Sequence, residues 1–175
     1  MKTHFLILFL LQLLMLSCIE KLPESNQVVD CYFQYEYINH AWGFSHSGFT
    51  VTPSGEVFSF DKSTPWVFAE KEKLSSADLK KNIEASLKID TLVSKADIDR
   101  YQELAFYAVS GKLSEPVMRG ADMGELICKI IIPDTSDPTG RYREVLLTEN
   151  GDFDQYNLSP EAAVIAAWIT GFFRK

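Results

Sequence analysis

The stretch 126-LICKIIIPDTSDPTGRYREVLLTENGDFDQY-156 decides the fold. Leu126, Cys128, Ile130 and Ile132 share one strand face, and Ile127 and Ile131 make the other face apolar too. A strand buried on both faces belongs in the middle of a sheet. Residues 133–140, PDTSDPTG, read as a polar hairpin loop, and Tyr142 to Thr148 as the return strand. Asn150-Gly151 is a strong hairpin-turn signal. It predicts that Asp152 to Tyr156 pairs back as a short edge strand. Connections this short cannot make parallel crossovers, so the sheet is expected to be antiparallel.

Working outward toward the N-terminus, residues 32–39, YFQYEYIN, alternate. Phe33, Tyr35 and Tyr37 fall on one face, and Tyr32, Gln34, Glu36 and Ile38 on the other. Aromatics at that spacing favour a half-buried strand. Phe49 to Thr52 resumes the pattern, Pro53-Ser54-Gly55 is turn chemistry, and Val57 to Phe60 returns. Together these predict a three-stranded meander.

The middle of the chain is helical in pattern. Ser75-x-x-Asp78 and Ser94-x-x-Asp97 have capping-box spacing. Leu79, Ile83 and Leu87 recur every four residues, which predicts a helix ending near Ile89. Ile98, Tyr101, Ala105 and Val109 form a second stripe, closed by Gly111. Two helices so close predict an αα-hairpin. At the C-terminal end, Ser159-Pro160-Glu161 is a helix start. Residues 162–173 are apolar nearly all round, as in a helix buried against a sheet. The expected fold is α+β: an antiparallel sheet of five or six strands, a helical hairpin and a buried C-terminal helix, in one domain over residues 29–175.

The opening of the chain is of another kind. Lys2 supplies a positive charge, residues 5–16 are apolar apart from Gln12, and Ser17 is small. That is the layout of a secretory signal over residues 1–17, too short to span a bilayer. Met15-Leu16-Ser17-Cys18 resembles the lipobox of bacterial lipoproteins. Met15 stands where that family usually has Leu. The resemblance implies that Cys18 is acylated, becomes the first mature residue and anchors the chain to a membrane of the bacterial envelope, outside the cytoplasm. Residues 18–28, with Pro, Ser and Asn, read as a tether.

Charge narrows the function classes. The whole chain carries a formal −7. Residues 1–17 hold one Lys and no acid, so the mature chain has 16 basic and 24 acidic residues, or −8. That balance argues against nucleic acid and against a polybasic membrane surface. Cys31 and Cys128 are an even pair for a compartment that can be oxidising, so a disulfide between them is one reading and two buried thiols the other.

Two loops carry the remaining chemistry. Residues 39–48, NHAWGFSHSG, hold His40 and His46 around Trp42. Gly43 to Gly48 nearly matches a nucleophile elbow, but the closing glycine is one place late and strand residues follow. Residues 114–125, SEPVMRGADMGE, carry Met118, Arg119, Asp122 and Met123. His40, Trp42, His46, Met118, Arg119 and Asp122 are the candidate ligand contacts. No motif requires a metal or cofactor; Asp134 and Asp137 match no calcium loop. The leading expectation is a membrane-tethered, non-enzymatic binding module for an envelope protein or small ligand. The alternative is a hydrolase built from His40, His46, Ser45 and Asp122.

Overall fold

A computed structural model describes residues 29–41, 43–61 and 63–172. The signal, Cys18, the tether, Trp42 and Phe173 lie outside the described residues. The elements run β1 (Tyr32–Asn39), β2 (Ser45–Val51), β3 (Glu56–Phe60), β4 (Lys73–Leu74), α1 (Ser76–Ala85), β5 (Leu87–Leu92), α2 (Lys95–Ala108), β6 (Val117–Met118), β7 (Glu125–Pro133), β8 (Tyr142–Gly151), β9 (Phe153–Tyr156) and α3 (Pro160–Gly171). The strands make one antiparallel sheet in the order β5-β3-β2-β1-β7-β8-β9-β6, with β4 also on β8.

The α+β antiparallel architecture holds, but the sheet has nine strands instead of five or six. Three additions account for the difference. β4 and β6 have two residues each, too few for a periodic signal. β5 replaces the expected end of the first helix. Leu79, Ile83 and Leu87 do have helical spacing, but the helix stops at Ser86, whose backbone is extended (φ −83°, ψ 156°). Its hydroxyl donates to the Asn82 carbonyl at 2.6 Å, which competes with continuing the helix. Leu87-Lys-Ile-Asp-Thr-Leu then alternates along the edge of β3. The helical hairpin is therefore absent, because a strand separates α1 from α2.

The helices cover both faces. On one, α2 and α3 pack over Phe33, Phe49, Val51, Val57, Ile130 and Leu147 to form the main core. Tyr101 stacks on Trp168 at 4.0 Å between the two helices. On the other, Leu79 of α1 meets Leu74 and Ile131. β7 is central, between β1 and β8, and its isoleucines serve both cores. Helix α3 buries only one face, through Ala162, Ile165, Ala166 and Ile169; Val164 on its outer side is 43% exposed. The sheet and α2 reach only that face.

Strand β2 begins earlier than the alternation suggested. Ser45 pairs with Asn39 and His46 with Ile38, so His46 is a strand residue and the β1–β2 loop shrinks to residues 40–44. β9 is not an edge, because Val117 and Met118 pair outside it.

Candidate functional site: the loop end of the sheet

In the antiparallel register, Ile38 stands opposite both His46 and Glu125, and Glu125 stands opposite Gly151. The β1–β2 loop, the 119–124 segment and the β8–β9 turn therefore meet at one end of the sheet. The chain enters β1 at the other end. Over eight residues at about 3.3 Å each, the two ends are about 26 Å apart.

Hydrogen bonds tie these loops together. The Tyr37 hydroxyl donates to the Met123 carbonyl at 3.4 Å and accepts from Asn39 Nδ2 at 2.9 Å. Asn39 Oδ1 accepts from the Ala41 N–H at 2.8 Å. Gly124 has φ +74°, and a Cβ there would meet Tyr37 and the Ile38 carbonyl at 2.8 Å, so only glycine lets the segment close on β1. Asp152 Oδ1 accepts from the Met123 N–H at 2.7 Å. Arg119 Nε donates to Asp154 Oδ2 at 2.6 Å, and that bond holds the Asp154 carboxyl below its usual range.

This end of the sheet exposes apolar side chains among acidic ones. Phe44, Val117, Met118, Met123, Leu126 and Phe153 are between 40% and 67% exposed. Around them stand Asp122, Glu125, Asp152 and Asp154. Burial, and then the charge of Glu125, push the Glu149 carboxyl up. Acids are crowded here, with Arg119 spent on Asp154.

The sequence candidates fall into two groups. His40, Met118, Arg119 and Asp122 lie at this end, as does the loop containing Trp42. His46 does not share their exposure: it is 2% exposed, on the sheet face beneath α1. Its Nε2 donates to Glu36 Oε2 at 2.9 Å, and Phe60, Trp66 and Phe68 pack around its ring. The Phe44 ring touches both His40 and His46. Ser45, one residue earlier in an extended strand, projects to the opposite face from His46. A serine-and-histidine constellation is not assembled from these side chains.

Sequence reasoning missed the network that His46 belongs to. Glu36 Oε2 also accepts from Gln34 Nε2 at 2.9 Å, and Glu36 Oε1 meets Lys129 Nζ at 2.6 Å. Lys129 reaches on to Glu144 at 2.9 Å. Burial alone would push the Glu36 carboxyl up, but the Lys129 charge and the bonds from His46 and Lys129 outweigh it and hold it at about 2. Burial works against the Lys129 ammonium, yet Glu36 and Glu144 raise its pKa. An open cleft of about 410 Å³ lies alongside, lined by Glu36, Lys129, Glu144, Phe68 and Asn157 among others. Within the network each charged group has a partner, Glu36 in His46 and Lys129, and Lys129 in Glu36 and Glu144, so the arrangement is a buried charge pair with its neighbours. One signal was available: Lys129 interrupts an otherwise apolar strand.

The other candidates are settled by register. Cys128 pairs with Tyr35, four residues along β1 from Cys31. At about 3.3 Å per residue that is about 13 Å, against a limit of about 7 Å between the Cα atoms of a disulfide. The bridge is excluded. Both are buried free thiols; burial pushes Cys31 up strongly and Cys128 to about 11. Asp134 and Asp137 both bind Lys73, at 3.0 and 3.4 Å. The Ser136 hydroxyl, and then Lys73, hold Asp134 at about 2. Among the described residues, no three His, Cys, Asp or Glu side chains gather as a metal-binding group. No helix among them is long and apolar enough to cross a membrane. Comparison with family models, curated proteins and solved structures finds no match.

Proposed function

We propose that the chain is a lipid-anchored module of a bacterial envelope that binds a protein partner, without catalysis, through the loop end of its sheet. The observation that carries this reading is the meeting of two loops about eighty residues apart in sequence at one end of the sheet, where both expose apolar side chains. Exposed methionines suit such a surface, because an unbranched, polarizable side chain adapts to what it meets. Large apolar side chains left exposed together at one end of a fold are a usual mark of a protein-contact site. Its position supports the same reading: β1 enters at the far end, so an anchor at Cys18 leaves the loops facing away from the point of attachment. The mature charge of −8 and the acidic side chains at this end favour a partner with a basic, apolar contact.

The test is crosslinking in cells with a photoreactive residue at Met123, compared with one at Glu84 on α1. A discrete protein adduct from Met123, absent from Glu84 and lost with Met118→Asp, supports the reading. Adducts to lipid alone from Met123 overturn it.

A further inference from the structure

β5 is the edge of the sheet opposite β6, and its outer side has no neighbour among the described residues. It has six residues, against two in β6. Leu87 and Leu92 are each 71% exposed. On the face that carries α3, an open groove of about 860 Å³ runs beside β5, lined by Phe49, Val57, Ile89, Trp168 and Phe172. An edge strand with open backbone groups and exposed apolar side chains is a template for another strand unless something covers it.

We propose that β5 pairs with the β5 of a second copy of this chain, antiparallel about a two-fold axis at Ile89, so that two sheets become one. The register follows from parity and charge. In a continuous sheet, residues directly opposite one another must share a face, so a two-fold axis passes through a residue and not between two. An axis at Lys88 sets lysine against lysine, and one at Asp90 sets aspartate against aspartate. An axis at Ile89 sets Lys88 opposite Asp90 twice. Opposite charges directly across a ladder stabilise it, and like charges destabilise it.

The side chains agree with this choice. Asp90 is exposed and has no ion pair among the described residues. The Lys88 ammonium meets Glu56 Oε1 at 2.5 Å, and its three donors can serve a second carboxylate. Leu87, Ile89 and Thr91 share the α3 face. With the axis at Ile89, Leu87 of one copy stands opposite Thr91 of the other, so both exposed leucines at this position close over the two grooves. Ile89, Asp90 and Thr91 face only Val57 on the inner side, where the register with β3 shifts. The free edge is centred on that same segment.

The full chain in detergent, carrying Cys18→Ser, tests this with single cysteines. Ile89→Cys is expected to form a disulfide dimer on mild oxidation. Thr91→Cys, on the same face but about 13 Å from its counterpart in this register, is expected not to. The buried Cys31 and Cys128 stay out of the exchange. Sedimentation gives the second arm: the parent dimerises, Asp90→Lys, which leaves the Lys88–Glu56 pair in place, is monomeric, and Lys88→Asp/Asp90→Lys recovers the dimer. A parent that stays monomeric, equal crosslinking at 89 and 91, or an Asp90→Lys chain that dimerises like the parent overturns the proposal.

Discussion

Lys129 sits in the most apolar strand of the chain and is 7% exposed, with Glu36 and Glu144 on its ammonium. A buried charge pair adds little net stability beside a well-packed apolar pair, but breaking it by removing one partner is costly. Lys129→Ala is therefore expected to lose about 3–5 kcal/mol, read from urea unfolding. A loss under about 1 kcal/mol would mean that water already screens the network. Glu36 adds a pH dependence. Its carboxyl is held at about 2, below its ordinary 4.5. A depressed carboxyl contributes stability that is present above the unfolded pKa and lost as pH falls through the folded one. The stability difference between the native chain and Glu36→Gln is thus expected to be constant above about pH 5 and to shrink toward about pH 2. A difference that does not change over that window would show that the carboxylate is not held by these bonds.

Elements obeyed their end signals better than their stripes. Ser75, Ser94 and Ser159 each accept the backbone N–H three residues on, at 3.1 Å, as the sequence predicted. For α3, Ser159→Ala is expected to cost about 1 kcal/mol of stability, and Ser159→Asp to restore most of it. Equal stability of Ser159→Ala and the native chain would assign the helix start to Pro160 and Glu161 alone. The stripe at Leu79, Ile83 and Leu87 misled because period four cannot show where a helix stops. Ser86 stops it, and Leu87 then continues in a strand. A bulge had a similar effect in β8. Leu147 is an extra residue between the partners of Cys128 and Lys129, and it is fully buried. Its effect is on Thr148, which stands opposite Cys128 on the main-core face, where strict alternation from Val145 would have turned it to the other.

Across the whole molecule, four adjacent strands each supply one member of the buried network: His46 from β2, Glu36 from β1, Lys129 from β7 and Glu144 from β8. A one-residue slip of any of them would turn its charged group to the face packed by α2 and α3. The network fixes register, and register brings the two contact loops to the same end. The anchor is tested at this scale as well. Cys18→Ala is expected to abolish fatty-acid labelling and release the chain from the membrane fraction. Unchanged labelling would remove the basis for the lipid-anchor reading.

The sequence by itself determined the local features: the central apolar strand, the meander, the capped helix starts and the two chemically loaded loops. These rest on period, turn chemistry and caps, which act within a few residues. Only the tertiary structure decided that the two loops meet, that His46 is buried on Glu36, that Cys31 and Cys128 stand too far apart to bond, and that β5 is a strand whose outer edge is unpaired among the described residues. Each of these depends on which strand lies beside which, and in what register. That choice is set by side chains distant along the chain, such as Glu36 and Lys129, whose attraction leaves no trace in a local pattern.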